Sequence, residues 1–325
     1  MQAKKLIEQC LKDNPCEIEI RYDEPMKDHT TFKVGGKADC YICPDGEGFL
    51  SFCTNLLTRA KAAEVPVFIL GGGANIVVSE KGIRGITVDM AAWNGESVWT
   101  LCCEKDEIVF KSGTAIDEAA DAACAAGLGG MEFLAGMPGT IGGAVWMNAR
   151  CYGKEISDIL KWVEVIAREK ASGVNNKDFE IKRIEIKNGE GFDYKKSPFQ
   201  EMDCMILSAA FKLKKGDKKK MLVDMENNRQ DRQDKGHYQF PCAGSAFKNN
   251  HDFGKPTGQI IDELGLKGFS KGGAQAAPFH GNIIINTGNA TADDIRSLMD
   301  DIALKVKEKT GFVLEPEILF VGDWS

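Results

Sequence analysis

The chain has 325 residues, of which 43% are hydrophobic and 27% are charged, an ordinary globular composition with room for about two or three domains. The net charge of -7 argues against general binding to nucleic acid or to an anionic membrane. No apolar run reaches the ~20 residues of a membrane span, and the first residues lack the apolar core of a secretory signal. We therefore expect a cytoplasmic protein whose 11 cysteines are free thiols.

The first half of the chain alternates short helices with short strands. One predicted strand contains a C-x-x-C pair, Cys40 and Cys43. A zinc site needs a second half with similar spacing, which the sequence lacks, so we expect no metal and interpret both cysteines as strand residues. Apolar periodicity predicts helices at residues 4–12, 47–64 and 115–126, strands at 17–22, 37–44, 65–70 and 76–78, and three short strands within 86–111.

The second half has a more irregular order. A charge run, Lys214–Lys220, is interpreted as a solvated linker, and the acidic cluster Thr291–Asp294 is a suitable helix N-cap and first turn. Strands and helices in irregular order favour an α+β fold over a doubly wound sheet. The pattern predicts strands at residues 159–167, 180–186, 205–213, 282–286 and 312–321, and helices at 216–235, 257–264 and 291–309.

Several common active-site motifs are absent from the sequence. No G-x-G-x-x-G follows a strand and opens a helix, and no G-x-x-x-x-G-K-[ST] phosphate loop occurs. The four histidines include no H-E-x-x-H, and the G-x-S-x-G elbow is missing. A Rossmann dinucleotide site, a metal hydrolase and a Ser-His-Asp enzyme are therefore disfavoured.

Two glycine clusters, Gly71–Gly73 and Gly136–Gly143, stand at the ends of predicted strands. Successive backbone N–H groups in such turns form anion-binding concavities, and glycine lets the backbone approach a flat ring closely. Asn75 and Asn148 add amide groups nearby. Tight turns alone would explain either cluster, but the two together favour a binding site for an extended pyrophosphate ligand.

Six blocks of sequence follow one another from about residue 29 to residue 322, among them LAGMPGTIGGAVWMNARCYG and PCAGSAFKN. In this order they resemble the UDP-N-acetylenolpyruvylglucosamine reductases, the MurB family of cell-wall precursor synthesis. The short spacing from Tyr194 to Ser245 resembles the branch that lacks an extra substrate-covering tyrosine loop. The six blocks are residues 29–39, 71–85, 134–153, 241–249, 257–268 and 314–322.

The resemblance implies a three-domain α+β flavoprotein. A pair of α+β subdomains of the vanillyl-alcohol-oxidase type would hold FAD, and a C-terminal domain would hold a UDP-sugar. We expect the first FAD-binding subdomain at residues 1–85, with a C-terminal strand at 311–325 returning to it. The second subdomain is expected at 86–214 and the substrate domain at 215–310.

The resemblance also implies the reduction of UDP-N-acetylglucosamine enolpyruvate to UDP-N-acetylmuramate in peptidoglycan precursor synthesis, and so a part in cell-wall biogenesis, cell shape, cell cycle and cell division. NADPH would be the co-substrate, and FAD would carry the hydride. Hydride delivery to the enol leaves negative charge on the adjacent carbon and its carboxylate, so the protein must supply charge stabilisation and a proton. We expect a monomer with a small nucleotide-sugar substrate.

Three residues match catalytic positions of the family. Ser245 matches its proton-donating serine, although a turn serine beside Gly244 is the simpler interpretation without the resemblance. Glu317 matches the glutamate that helps polarise the substrate carboxylate, but Glu315 would share its strand face, so spacing alone does not choose between them. Lys195 stands where the family has an arginine that pairs with that carboxylate, and lysine keeps the charge but loses the planar fork.

Other matched positions are assigned to ligand binding by the resemblance. His280 and Asn282 lie in a block, FHGNIIIN, that we expect in the third domain, where His280 would be structural or near the substrate. The expected substrate-binding residues are Tyr194, Arg232, Lys248, Asn249 and His280, and the expected cofactor-binding residues are Gly71, Gly72, Gly73, Ala74, Asn75, Ile76, Gly136, Pro138, Gly139, Thr140, Gly142, Gly143, Ala144 and Asn148.

The sequence departs from the family pattern in further places. Arg150 stands where the family usually has glycine. Because Arg150 and Lys195 depart in opposite directions within two flavin-proximal blocks, we hypothesise that Arg150 supplies part of the guanidinium function lost at Lys195. Surface drift at Arg150 is the alternative. Gly236-His237 also replaces a common Gln-Pro pair upstream of the serine loop.

Two other functions remain compatible with the sequence. The first is a flavoprotein of the same fold with a different redox substrate, such as an oxidase, and the departure at Lys195 is its main support. The second is a non-catalytic protein that binds FAD or a UDP-sugar. Ser245 and Glu317 argue against the second, because a pure binding protein has no need of a proton donor.

Overall fold

The computed structural model describes residues 2–44, 46, 48–93, 99–102, 107–168 and 178–325. Contacts along the chain divide it into two compact units, and each unit is assembled from three separate stretches of sequence. Unit one consists of Met1–Tyr22, Cys40–Gly72 and Gly85–Arg229, and unit two consists of Asp23–Asp39, Gly73–Arg84 and Gln230–Ser325.

Helices and strands alternate irregularly along the described residues, as the sequence predicts for an α+β fold. The helices are α1 Gln2–Asp13, α2 Phe49–Ala62, α3 Ile116–Ala125, α4 Ile141–Trp146, α5 Lys218–Asp234, α6 Thr257–Glu263 and α7 Ala292–Thr310. The strands are β1 Ile18–Pro25, β2 Lys37–Pro44, β3 Val67–Leu70, β4 Ile76–Val78, β5 Ile83–Asp89, β6 Trp99–Cys102, β7 Glu107–Lys111, β8 Leu128–Gly129, β9 Arg150–Cys151, β10 Lys154–Glu155, β11 Leu160–Arg168, β12 Phe179–Glu185, β13 Cys204–Lys212, β14 Lys214–Lys215, β15 Ser270–Lys271, β16 Ala274–Ala276, β17 Ile284–Asn286 and β18 Leu319–Val321.

The first core of unit one lies between helices α1 and α2 and a four-stranded sheet of order β1-β2-β5-β3. The buried residues of α1 are Ala3, Leu6, Ile7 and Cys10, a spacing that places them on one helical face. Strands β3 and β5 are parallel neighbours, with Val67 opposite Ile86. Burial of this apolar face is what holds α1 in place, since its other face is polar.

The second core of unit one lies on an antiparallel sheet of order β12-β11-β13-β7-β6. In its centre Val163 pairs with Ala209, which in turn pairs with Phe110. Helices α3 and α4 contribute mostly small buried residues to this core, such as Ala120 and Ala144. Small side chains allow these helices to approach the sheet closely, and this brings the loop before α4 near the strand ends.

Unit two has one main core beneath the long helix α7. The buried residues Ile295, Leu298, Ile302 and Val306 recur at helical spacing and pack towards the antiparallel sheet of order β15-β16-β17. The C-terminal strand β18 returns to pair in parallel with β4, with Leu319 opposite Ile76. Backbone hydrogen bonds therefore join two of the three stretches of sequence that form unit two.

Helix α7 begins with the cap that the sequence predicts. The Asp294 N–H donates to Thr291 Oγ1 and the Thr291 N–H donates to Asp294 Oδ2, both at 3.0 Å. The backbone N–H of Thr291 holds the pKa of the Asp294 carboxyl below its usual value. At its other end the helix stops at Gly311, whose φ of 79° is the left-handed conformation that glycine adopts readily.

Two predictions from the sequence were wrong, one about the length of a strand and one about a linker. The C-terminal strand, predicted at 312–321, is limited to β18, because Pro316 has no N–H to donate to a ladder. The residues before β18 instead form a single bridge between Pro316 and Phe247. The charge run Lys214–Lys220 is not a linker, since its first two lysines form β14 against β8 and its last three open α5.

The C-x-x-C pair lies within a strand. Cys40 and Cys43 are both in β2, as predicted, and both are outside any disulfide. Within the described ranges, no group of histidine, cysteine, aspartate and glutamate side chains is arranged to hold a metal ion. None of the helices in those ranges combines the length and the apolarity that a bilayer crossing requires.

Candidate active site

Ser245 and Glu317 lie on neighbouring segments of unit two. Residues 245–248 run antiparallel to residues 315–317, and the Glu317 N–H donates to the carbonyl of Ala246 at 2.8 Å. Two residues that are far apart in sequence are thus carried by one small sheet-like patch. The structure brings together the predicted proton donor and the predicted glutamate.

The structure distinguishes Glu317 from Glu315, which the strand periodicity could not. Glu317 is buried, with 9% of its surface exposed, whereas the Glu315 side chain is 69% exposed and forms an ion pair with Lys248 Nζ. Lys248 was expected to contact a phosphate, and its pairing with Glu315 is a contact that sequence reasoning missed. The two residues are 67 positions apart, so no local spacing signals their proximity.

Ser245 is half-buried and follows a glycine. Gly244 has a φ of 72°, and a Cβ at that residue would meet no atom within 4 Å. On its other side Ser245 forms a bridge with Ile283. Within the described part of the chain, the Ser245 hydroxyl makes no hydrogen bond, so it is available to a ligand.

Asn75 connects the loop before β4 to the segment of Glu317. Its Nδ2 donates to the Glu317 carbonyl at 3.1 Å, and its own carbonyl accepts from the Leu319 N–H at 3.0 Å. Two residues earlier, Gly73 has a φ of 61°, and a Cβ there would lie 2.0 Å from the carbonyl oxygen of His29. The predicted cofactor residues Gly73 to Ile76 therefore belong to the same unit as Ser245 and Glu317.

In unit one, glycines from the two clusters approach each other closely. A Cβ at Gly72 would lie 2.7 Å from the Cα of Gly139, and a Cβ at Gly71 would lie 2.7 Å from Thr140 Oγ1. Gly143 differs, because a Cβ there would meet only Thr140 Oγ1 at 3.6 Å, an ordinary contact. Packing within the protein explains the first two glycines, whereas it leaves room for a side chain at Gly143.

Several N–H groups of the second glycine cluster already have acceptors within unit one. Such groups are not available to an anionic ligand, so the cluster contributes close approach of the backbone more than a complete anion nest. Among the other predicted cofactor residues here, Pro138 is exposed and Ala144 is buried. The engaged donors are Gly136, Ile141 and Gly142, and their acceptors are Asp117 Oδ1, the Thr114 carbonyl and the Ser112 carbonyl.

Asn148 is fully buried and holds a neighbouring turn. Its Nδ2 donates to the Asp193 carbonyl at 2.9 Å, and its Oδ1 accepts from the Ser157 N–H at 3.2 Å. Asn148 itself has a φ of 45°, a conformation that asparagine tolerates better than most residues. Its carboxamide thus anchors the residues that lead into Tyr194.

Tyr194 and Lys195 form the tip of a tight turn. Asp193 and Lys196 exchange two backbone hydrogen bonds, of 3.1 and 2.9 Å, around them. The Lys195 ammonium lies 6.0 Å from the centre of the Tyr194 ring, and the Arg150 guanidinium carbon lies 5.5 Å from it. Both cations are within the range of a cation–π contact with one ring, so the two positions that depart from the family pattern converge in unit one.

The predicted substrate residues Arg232 and His280 surround His237 in unit two. Arg232 is 7% exposed, and the ring centres of His237 and His280 are 6.4 Å apart. Burial lowers the pKa of His237 to about 4, with Arg232, His280 and Lys235 adding to this effect and Asp231 opposing it. Burial likewise lowers the pKa of His280. Both imidazoles are therefore neutral at pH 7.

Asn249 is exposed and caps a helix. Its Oδ1 accepts from the Thr257 N–H at 2.9 Å at the start of α6, and Thr257 Oγ1 donates to the Lys248 carbonyl at 2.8 Å. These bonds fix the end of the segment that begins at Ser245. Asn249 thus combines a structural contact with exposure to solvent.

Comparison with known proteins agrees with this arrangement. Residues 52–170 match the FAD binding domain, and residues 236–321 match the C-terminal domain of UDP-N-acetylenolpyruvoylglucosamine reductase. The UDP-N-acetylenolpyruvoylglucosamine reductase of Treponema denticola is 40% identical over 315 residues, 94% of each chain. The enzyme of that name from Borrelia garinii subsp. bavariensis is 41% identical over 294 residues, 90% of each chain.

A solved structure extends the similarity to the fold. The crystal structure of UDP-N-acetylenolpyruvylglucosamine reductase (MurB) from Thermus caldophilus is 30% identical in sequence and superposes with a TM-score of 0.71. The match covers 94% of this chain and 99% of that one.

An FAD-binding domain joined to a reductase C-terminal domain defines an FAD-dependent oxidoreductase. At 40% identity over nearly its whole length, the chain belongs to the UDP-N-acetylenolpyruvoylglucosamine reductase family. The family, the FAD-binding part and the α+β fold with a separate C-terminal domain were expected from the sequence, and all three are confirmed.

The neutral state of His237 predicts a pH-dependent stability. An unfolded histidine binds a proton below about pH 6.5, whereas folded His237 does so only near pH 4. The stability that the neutral His237 contributes is therefore fully present above pH 6.5 and is lost as the pH falls towards 4. Between pH 7 and pH 5, we expect the free energy of unfolding of the parent protein to fall by about 2 kcal/mol more than that of His237→Gln. Urea unfolding at both pH values measures this difference.

The control for this prediction is His251→Gln, which changes an exposed histidine of the same unit. It should show the same pH dependence as the parent protein. An equal loss of stability in the parent and in His237→Gln would contradict the prediction.

Proposed function

We propose that this chain reduces UDP-N-acetylglucosamine enolpyruvate to UDP-N-acetylmuramate with NADPH, using FAD as its resident cofactor, in peptidoglycan precursor synthesis. The observation that carries the proposal is the pairing of the Ser245 segment with the Glu317 segment in a chain of the reductase family. A hydroxyl proton donor and a carboxylate on one framework are what the second half of this reaction needs.

The proposed organisation has three domains. Residues 1–85, with the returning strand in 311–325, and residues 86–214 would form the two FAD-binding subdomains, and residues 215–310 would bind the UDP-sugar. The pairing of β18 with β4 supports the return of the C-terminal strand to residues 1–85. The protein would act in the cytoplasm as a monomer, with a role in cell-wall synthesis during growth and division.

The glycine clusters are proposed to hold FAD. The fit rests on the meeting of Gly72 with Gly139 and on the open space above Gly143, which together offer a smooth backbone surface to a pyrophosphate and a flat ring. Thr140, which lies beside Gly71 in unit one, would contribute to this surface. Bound FAD supplies the storage of hydride between the two substrates.

Ser245 and Glu317 are proposed to act on the enolpyruvyl group. When hydride reaches the terminal carbon, charge develops on the carbon that bears the carboxylate, and the Ser245 hydroxyl would donate a proton there. A serine is a weak acid, so this transfer depends on a close and strongly basic carbon in a site that excludes water. The buried Glu317 would help to polarise the substrate carboxylate.

Lys195 and Arg150 are proposed to share the recognition of an anionic group of the substrate. Lys195 alone lacks the two-point fork that arginine presents to a carboxylate. Arg150 lies over the same Tyr194 ring and adds a guanidinium to the turn. Buried Arg232, exposed Asn249, and His280 would contact the nucleotide sugar, and Lys248 could bind a phosphate only by exchanging its bond with Glu315.

Anaerobic stopped-flow absorbance tests the function directly. NADPH should bleach the flavin of the purified protein, and added UDP-N-acetylglucosamine enolpyruvate should restore its absorbance with formation of the lactyl product. In Ser245→Ala we expect bleaching at the parent rate and a restoration about 10²–10⁴-fold slower, because only the second half-reaction needs the proton donor. Bleaching without restoration in the parent protein would leave a flavoprotein of the same fold with another acceptor.

If the glycine clusters hold FAD, a substitution on their open side should weaken cofactor binding without lowering the stability of the protein. Gly143→Ala meets no protein atom closer than 3.6 Å and should not destabilise the apoprotein, since alanine is favoured over glycine within a helix. A Cβ in the space of a bound pyrophosphate should weaken FAD binding by about 10–100-fold. Fluorescence titration of the apoprotein with FAD measures the affinity.

The matched control is Gly127→Ala in the same unit. Gly127 has a φ of 74° and open space around its Cβ, so alanine there costs stability through backbone strain alone. This variant should melt earlier than the parent yet bind FAD normally. Normal FAD affinity in Gly143→Ala would refute the proposed surface.

Arg150→Gly tests the shared anion site. Loss of a charge-assisted hydrogen bond should weaken binding of UDP-N-acetylglucosamine enolpyruvate by about 10–100-fold, and should leave binding of UDP-N-acetylglucosamine, which lacks the carboxylate, nearly unchanged. Calorimetric titration gives both affinities. The control Arg183→Gly removes an exposed arginine that also lies over a ring, at 3.8 Å from the centre of Trp162. Parent-like binding of both ligands by Arg150→Gly would show that Arg150 has drifted without function.

A further inference from the structure

Asn282 forms a two-way clamp on the backbone close to Ser245. Its side chain is buried, with 2% of the residue surface exposed. The Phe247 N–H donates to Asn282 Oδ1 at 2.9 Å, and Asn282 Nδ2 donates to the Phe247 carbonyl at 2.7 Å. The Asn282 carboxamide therefore binds both the backbone N–H and the backbone carbonyl of Phe247, as a neighbouring strand would.

The main chain of Asn282 continues the same contact. Its carbonyl accepts from the Ala246 N–H at 2.8 Å, and the next residue, Ile283, forms the bridge with Ser245. Asn282 and its neighbour thus hold three consecutive residues that start at Ser245. The N–H of Asn282 in turn donates to His280 Nδ1 at 3.2 Å, which requires that ring nitrogen to be unprotonated.

The orientation of Ser245 depends on the residues that follow it in the segment. Gly244, which precedes it, has a φ of 72° and no atom within 4 Å of the point that a Cβ would occupy, so no side-chain packing at that residue holds the chain entering Ser245. The residues that follow Ser245 are buried, since Ala246 and Phe247 are at most 1% exposed. Ala246 and Phe247, which are the residues that Asn282 binds, therefore hold the chain on the C-terminal side of the hydroxyl.

The clamp also reaches the segment of Glu317. Ala246 donates its N–H to the Asn282 carbonyl and accepts the Glu317 N–H with its own carbonyl. The distance between Ser245 and Glu317 is thus set by a strip of backbone that has Asn282 on one edge. A shift of this strip would move the hydroxyl and the carboxylate relative to each other.

We propose that Asn282 is a positioning residue for Ser245, and that its carboxamide keeps the hydroxyl in line with the carbon to be protonated. The inference rests on the proposed function, because it assigns the role of proton donor to Ser245. Asn282 does not itself exchange a proton with the substrate. Its effect is confined to the half-reaction in which Ser245 takes part.

Asn286 provides a matched control within the same unit. It is also a buried asparagine, at 4% exposure, and it is the last residue of β17. Its Nδ2 donates to the Phe32 carbonyl at 3.0 Å, and its Oδ1 accepts from the N–H groups of Gly288 and Ala290. The Asn286 carboxamide is therefore as engaged as that of Asn282, but with partners outside residues 244–248.

The test compares Asn282→Ser with Asn286→Ser in the two half-reactions of the FAD-loaded protein. We expect both variants to be reduced by NADPH at rates within about twofold of the parent. Reoxidation by UDP-N-acetylglucosamine enolpyruvate should be about 10–100-fold slower in Asn282→Ser alone, because a small misplacement of a reacting group has an effect of this size. Equal slowing in both variants would overturn the proposal, since it would indicate general loss of packing.

A double variant supplies a readout that general destabilisation would not produce. If Asn282 acts through Ser245, then Ser245→Ala/Asn282→Ser should be reoxidised no more slowly than Ser245→Ala. A further loss equal to that of Asn282→Ser alone would overturn the proposal. Failure of the parent protein to be reoxidised is a different result, and it would remove the proposed function and this inference together.

Asn282→Asp carries the test if Asn282→Ser does not fold. A protonated carboxyl has one donor and one acceptor and can replace the carboxamide, whereas a carboxylate only accepts. Burial raises the pKa of an aspartate. The reoxidation rate of Asn282→Asp relative to the parent should therefore recover as the pH is lowered towards 5. A constant ratio across pH would overturn the proposal, provided that far-UV circular dichroism shows folded protein at each pH.

Discussion

The two backbone hydrogen bonds of Ala246 are the constraint on which the candidate site depends. Its N–H donates to Asn282 and its carbonyl accepts from Glu317, so one buried residue joins three segments of unit two. Water has no access to replace these bonds, and breaking either one would leave a buried polar group without a partner. Ser245 comes immediately before this residue, and its place relative to Glu317 follows from that geometry.

Asparagine carboxamides hold irregular backbone in place at three positions in the chain. Asn282 holds the segment after Ser245, Asn75 holds the carbonyl of Glu317, and Asn148 holds the turn that leads to Tyr194. At Asn282 and Asn148 the side chain acts as a short strand edge with both a donor and an acceptor, and at Asn75 the side chain supplies a donor. Loops that carry site residues thereby become rigid without forming regular secondary structure.

Much of the fold could be predicted because it follows from local patterns. The helical spacing of Ile295, Leu298 and Ile302 predicted α7, and the side chains of Thr291 and Asp294 predicted its first turn. The prediction failed where a partner distant in sequence decides the outcome. The residues around Pro316 pair with the Ser245 segment and do not extend β18, and the lysines of β14 form a strand because β8 lies beside them.

The sequence by itself determined the family, the need for FAD and the chemical types of the site residues, because glycine, serine and glutamate at ordered spacings carry that information in their own side chains. Only the tertiary structure decided that Glu317 is buried while Glu315 pairs with Lys248, and that Arg150 meets Lys195 at one ring. The physical reason is that burial and pairing are properties of two or more segments at once. Periodicity within a single segment contains no information about which distant segment will cover it.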